Sequence, residues 1–587
     1  MAQLPRREEE RRLAVLGIRR QAAELAAERP HPADENNGDE VNYNTTDVAA
    51  RGGDPPYIGN FSKGLRHDDL GDPDPVSYGS MLRALQSRDP QDFEQILLGT
   101  IITAGAKRMK LTNPQGGLAF NLAGPDPQEP TMPPAPRFDS VVEAHEMGEL
   151  YWMALARDVP FVDYATDPII QQAVVSLNTE FPSHGGTVPG TWQTVFRGIF
   201  PGEQKGPYVS QFLWKGNSDP RKMPGGGRNA TDGYVAYGSQ VIDQRQQTVK
   251  GFADVGAAAD YLTDFAWWLR AQNGEDFRGG DQFDFTQRRF IRNLRDGANY
   301  VHFDLVINPW YNAAWILASE PTGTQQAAAA GAVPMRDREF RADTGNPYDL
   351  LAPDSPTEAG FVTFGDVHLF ELLTEVIGRA GRAVWWQKWG VHRRLRPEEF
   401  GGRIDNWLNA RRDYPIHADI KSSLLTGGLR TYFGSAGDPY TSYLLPQAYP
   451  EGAPTHPAYG AGHATISGAC ATILKALFDE QKNIESPVIA SADGLSLLPY
   501  TGSGAAGMTV GQEINKLAGN IALFRSAAGV HWRSDYTESL LLGEAVAIGL
   551  LQELSLTFNE DDAFFELTRF DGQKIRILDG KVEPVVA

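Results

Sequence analysis

Apolar residues recur every three or four positions through most of the chain, and strict alternation is scarce, so the pattern predicts an all-α protein of helical bundles joined by long loops. Helices are expected over residues 7–29, 141–157, 257–272, 286–320 (broken or kinked at Pro309), 367–394, 463–481, 512–526 and 535–555. Phe93, Ile96, Leu97, Ile101 and Ile102 follow the same spacing and predict another helix ending near Lys110. Residues 30–89 are rich in Gly, Pro, Asp and Asn and predict irregular coil wrapped over the surface; the polar, Gly-rich stretch 183–238 is expected to be loop. Only the tail reads as strand. Residues 564–569, an Asp571-Gly572 turn, residues 574–578 and a second turn at Asp579-Gly580 make a small β-hairpin. The expected organisation is an N-terminal helix and extended arm over residues 1–90, packed on the body or on a neighbouring subunit, followed by one helical domain over 91–587.

Composition narrows the function classes. The 54 Lys and Arg against 74 Asp and Glu give a net charge of −20, which disfavours nucleic-acid binding, since that needs cations to displace counterions. Cys470 is the single cysteine, so an internal disulfide and a cysteine-cluster metal site are both excluded. No apolar run is long enough for a membrane span, and the charged start Arg6-Arg7-Glu8-Glu9-Glu10 does not read as a signal peptide. The compartment is left open. The excess of Gly (61) and Pro (39) agrees with long ordered loops.

Three segments within residues 385–535 carry candidate chemistry. The first runs from Lys388 to Pro397 and places five cations (Lys388, His392, Arg393, Arg394, Arg396) in nine residues. Basic residues also close a helix favourably, and Pro397 stops one, so the run has a purely structural reading too. Lys388 and Arg396 stand about two turns apart and reach one site if the helix unwinds late. The second segment is Pro454-Thr-His456-Pro-Ala-Tyr-Gly460-Ala461-Gly462-His463. Its glycines permit close backbone approach, the following helix presents free N–H groups, and together they suit an anion, with a histidine at hand to exchange a proton. The third is Arg525 to Asp535, in which Asp535 is expected to N-cap the last helix and His531 is a candidate ligand or nucleophile. Together these residues describe an oxyanion cage.

The ordered motifs Lys388-x7-Arg396-Pro, Gly462-His463 and Arg525-x5-His531-x3-Asp535 resemble the vanadium-dependent haloperoxidases, which share their site with the type 2 phosphatidic acid phosphatases. The runs Gln387 to Pro397 and Pro454-Thr-His456-Pro resemble the red-algal and cyanobacterial bromoperoxidases in particular. The resemblance implies two four-helix bundles and a vanadate cofactor. It implies vanadium bound to His531, vanadate oxygens held by Lys388, Arg396, Arg525 and the Gly462 N–H, and His463 as the acid–base residue. The implied reaction oxidises bromide, with chloride and iodide as further halides, using hydrogen peroxide, and the hypohalous acid halogenates small organic acceptors. The family usually has Ser where this chain has Ala461, so one hydrogen bond to the anion is missing. His456 matches the bromoperoxidases, whereas Trp385 is similar to the fungal chloroperoxidases and some brown-algal enzymes, so the halide cues conflict. The alternative reading is an acid phosphatase with His531 as nucleophile. Asp349, Asp354 and Glu358 lie in an oxygen-rich stretch that reads either as an ordinary acidic loop or, as the resemblance implies, as a calcium site. The family also implies a homo-oligomer, up to a dodecamer.

Overall fold

Residues 8–44, 53–217, 231–237, 240–319, 345–348, 357–358, 360–561 and 563–585 are described in the computed structural model, and helix dominates among them. In chain order the helices used below are α1 (Glu8–Glu28), α2 (Pro75–Ser87), α3 (Val141–Leu155), α4 (Leu294–Phe303), α5 (Asn308–Ser319), α6 (Asp366–Trp385), α7 (Pro397–Leu408), α8 (Gly462–Leu477), α9 (Val510–Ala527) and α10 (Arg533–Ser555). Several begin at clear sequence signals. Ser140 accepts from the Glu143 N–H at the head of α3, Asn293 from Asp296 at α4 and Thr509 from Gln512 at α9, while Pro397 opens α7.

The candidate residues are positioned by α8 and its neighbours. Every residue of α8 from Ala464 to Ala476 is buried. Helix α10 runs along it, α6 and α9 cover its other sides, and α4 packs on α9. The crossing of α8 and α10 has no side-chain layer at two points. A Cβ on Gly468 would stand 2.1 Å from the Leu540 carbonyl oxygen, and one on Gly543 would stand 2.0 Å from that of Thr465. Beyond Trp385 the α6 helix continues as a wider π-helical turn, Trp386–His392. Arg393, in the left-handed region at φ 44°, then turns the chain into α7. This is the late unwinding that lets Lys388 and Arg396 address one site.

Four expectations are corrected. The stretch 30–89 is not all coil: α2 forms within it, because Asp74 accepts from the Ser77 N–H at 2.7 Å and Pro75 pre-sets the first turn. The helix expected through 93–110 is limited to Pro90–Glu94. Leu98 instead pairs with Leu65, and a side chain at Gly99 would meet the Asn273 carbonyl at 2.2 Å, so the backbone is pinned between two other strands of chain. The stretch 286–320 begins as strand Phe283–Arg289, paired with Gln246–Val249, and its helices α4 and α5 are separated by Asp304 to Ile307, just before Pro309. Likewise 257–272 is α-helical only from Phe265.

The tail hairpin is present, Phe565–Thr568 with Lys574–Leu578, and a third strand, Lys581–Pro584, follows the Asp579-Gly580 turn. Helix α1 is mostly solvent-exposed and is tied down after its end by Arg29, which donates to the Gly549 carbonyl at 3.0 Å and to Glu553 at 2.7 Å on α10. No described helix is long and apolar enough to cross a membrane.

Candidate active site

The three motif segments meet at the heads of α8 and α10. Lys388, on the π-helical turn, is fully buried and donates to the carbonyls of Pro457 (2.6 Å) and Ala458 (3.1 Å), the loop that leads into α8. Arg396, at the N-cap of α7, is also fully buried and donates to the carbonyls of His456 and Val530 (2.8 and 2.9 Å). Its remaining N–H groups reach His531 Nε2 and His456 Nδ1, each at 2.9 Å. Arg525, in the last turn of α9, donates to the Val301 carbonyl at 3.0 Å and to the Tyr449 hydroxyl at 3.2 Å.

His531 has a fixed tautomer. The Asp535 carboxylate is an acceptor, so the 2.8 Å contact makes Nδ1 the donor, and Nε2, which faces an arginine, keeps its lone pair for the cage. Asp535 is the third residue of α10 and not its N-cap as expected; Trp532 occupies the cap, and the Asp535 side chain reaches back to the Trp532 N–H at 3.0 Å. The spacing His531-x3-Asp535 therefore serves the helix start and the imidazole at once. His463, at the second position of α8, is the more exposed histidine of the cage, and its Nε2 lies 3.0 Å from Asp304 Oδ1.

The field in the cage is strongly positive. Burial and then the neighbouring Arg396 hold the Lys388 ammonium well below its ordinary range, and burial, against the pull of Asp535, pushes Arg396 down to about 9. Burial and the same cations depress both His456 and His531 well below the usual histidine range. Donors remain uncommitted as well. Arg525 Nε is buried without a partner, and Ala461, at the N-cap of α8, has no side chain to engage the first N–H groups of that helix. Three cations, free helix N–H groups and one outward imidazole nitrogen fit a compact tetrahedral or bipyramidal oxyanion, and they fit a vanadate whose metal takes the Nε2 lone pair.

Trp385 forms one wall, with its ring 5.0 Å from that of His456 and 5.7 Å from Lys388 Nζ. Gly462 fits beneath it, a Cβ there lying 3.3 Å from the indole. Ala461 is buried, and its N–H donates to Ser539 Oγ at 2.7 Å. Lys388, Arg396, His456, Arg525, His531 and Trp385 are thus brought together, with Gly462 beneath the indole and His463 beside it in the chain. Asp349 and Asp354 lie outside the described residues. Two contributors had no sequence signal, and a third was not distinguished within its run of cations. Asp304 sits in the short link between α4 and α5, and Tyr449 supports Arg525 from a loop. Arg394, one of the cations whose run reads equally well as helix-closing, binds Asp535 from behind.

Fold and cage together define a helical-bundle enzyme built around an oxyanion. The family model for the second helical-bundle domain of VCPO matches residues 428–560. A vanadium-dependent bromoperoxidase of Corallina officinalis is 36% identical over 616 residues, spanning 96% of this chain and 98% of its own. Another, from Ascophyllum nodosum, is 34% identical, spanning 92% and 88%. Among solved structures, the homohexameric second vanadate-dependent bromoperoxidase of Ascophyllum nodosum aligns with a TM-score of 0.80 at 27% identity, covering 98% of this chain and 92% of that one. The chain belongs to the vanadium-dependent haloperoxidase family.

Proposed function

We propose that this chain oxidises bromide with hydrogen peroxide to hypobromous acid, which halogenates small organic acceptors, and that it does so at vanadate held in the cage. The observation that carries the reading is His531, locked by Asp535 with Nε2 against the buried Arg396 and within the field of Lys388 and Arg525. His531 would hold the vanadium; Lys388, Arg396, Arg525 and the Gly462 N–H would offset the charge of its oxygens. When bound, vanadate supplies a Lewis acid that polarises the peroxide without changing oxidation state. The net reaction joins one halide, one peroxide and one proton to give hypohalous acid and water. His463, which hydrogen-bonds Asp304, would take a proton from the incoming peroxide and return one to the departing oxygen. His456 and Trp385 line the side on which a halide would approach. The names of the relatives support bromide, with chloride and iodide oxidised by the same chemistry.

The test is turnover by protein stripped of oxyanions. Bromination that appears only on adding vanadate supports the reading. Phosphate-ester hydrolysis without vanadate would instead favour the phosphatase alternative, which none of these observations supports.

Two further properties are proposed. The chain assembles into a homo-oligomer, a reading supported by the hexameric relative and by the largely uncovered α1. A dodecamer of dimers is the larger form that light scattering would distinguish from a hexamer, and a monomer mass would overturn both. Calcium at Asp349, Asp354 and Glu358 rests on the family resemblance and an oxygen-rich stretch of sequence, and unchanged thermal stability in a chelator would remove it.

A further inference from the structure

Between the two cage cations Lys388 and Arg396, the same turn carries a third cation that faces away from the cage. Arg394 is buried, and its guanidinium lies over the Trp532 ring at 4.6 Å. One terminal nitrogen donates to Asp535 Oδ1 at 3.0 Å and to Ser534 Oγ at 2.8 Å; the other bonds Glu143 and reaches Glu146 at 3.2 Å. Glu143 and Glu146 are both buried on α3, one turn apart. Glu146 is secured separately, accepting from the Ser534 N–H and hydroxyl at 3.2 and 3.0 Å. Both oxygens of the Asp535 carboxylate are thereby engaged. Its Oδ2 takes the His531 and Trp532 N–H groups, and its Oδ1 takes Arg394. The turn itself is tied to the site by backbone: the Arg394 carbonyl accepts from Ala458 N–H and the Leu395 carbonyl from Trp532 Nε1, each at 3.0 Å.

We propose that Arg394 is the positioning residue of the oxyanion site: clamped by Glu143 and Glu146, it fixes the Asp535 carboxylate and so aims His531 Nε2 into the cage. Without it, Oδ1 would have no arginine, the carboxylate would be held through Oδ2 alone, and the imidazole that shares that oxygen would be less tightly fixed in angle. Planarity matters, because a lysine offers one point charge where the fork spans Asp535 on one side and two glutamates on the other. The inference rests on the vanadate reading above.

The test compares two anions on stripped protein. Orthovanadate makes a bond to His531, whereas inorganic phosphate is held by charge and hydrogen bonds only. Partners of this kind are worth 10–100-fold in metal affinity. For Arg394→Lys, the expected result is vanadate affinity lower by about tenfold or more with phosphate affinity changed by less than about twofold. Equal losses for both anions would mean that the cage itself had collapsed and would overturn the proposal, as would no loss for either. If Arg394→Lys does not fold, Glu143→Ala loosens the clamp while leaving the guanidinium in place and is read in the same way, with Glu143→Gln, which still accepts from Arg394, restoring vanadate binding. Wild-type protein that binds neither anion would overturn the vanadate reading itself, a result distinct from a variant that behaves as wild type.

Discussion

Ala461 is the residue at which this cage departs from the pattern the motif resemblance implies, and it is open to test. Ala461→Ser restores a hydroxyl at the head of α8, and a hydrogen bond to a charged group contributes about 1.5–3 kcal/mol. Vanadate should bind about tenfold tighter or better in a titration. If the hydroxyl instead caps the helix, the melting temperature rises with no gain in affinity. Asp304 gives the complementary case. Asp304→Asn keeps a hydrogen bond to His463 but cannot stabilise its cationic form, so kcat should fall by roughly 10²-fold or more with vanadate affinity unchanged. Equal loss in both would assign Asp304 a role in holding the anion. Most of the cage was legible in the sequence because its residues sit at fixed spacings beside glycines and helix starts, patterns that survive without knowledge of the fold. Asp304 and Arg394 were not legible as contributors. Asp304 acts across 159 residues of sequence, and Arg394 resembles any helix-closing arginine until α3 brings two glutamates to it.

At the scale of elements, helices with apolar stripes on a regular period are legible, and errors fall where contacts override period. The 93–110 stretch has helical spacing but is held extended by Leu65 and Asn273, and α2 hid among turn-forming residues although its Asp74-Pro75 start is a good signal. The glycines of the α8–α10 crossing carry no pattern at all, yet they set how closely the two helix heads approach. Gly543→Ala would drive a methyl group into the Thr465 carbonyl, and the helices must separate to admit it. The expected cost is about 2–3 kcal/mol of stability in denaturant unfolding. Weaker vanadate binding should accompany it, since Gly462 and His531 lie at opposite ends of that spacing. Unchanged stability would show that the crossing yields freely.

For the molecule as a whole, buried ionisable groups make stability depend on pH. His368, on α6, accepts from the Phe364 N–H at 3.1 Å, and burial lowers it to about 4. An unfolded chain takes up that proton near pH 6.5 and the folded one does not until about pH 4, so acidification through this window favours unfolding. Burial raises Glu146 and Glu203 to about 7, and these act in the opposite sense, so a difference is the diagnostic quantity. Relative to His368→Gln, the wild type should lose about 3 kcal/mol between pH 7 and pH 4, and parallel curves would place His368 in contact with water. The glycine contacts between α8 and α10 bear on heat as well as on packing. Side chains change rotamer long before a domain melts, but peptide groups in contact cannot, so the two halves of the cage share a gauge that warming does not loosen by degrees. Catalytic competence should therefore persist unchanged up to the unfolding transition and disappear with it, the temperature of half-inactivation coinciding with the loss of helical signal.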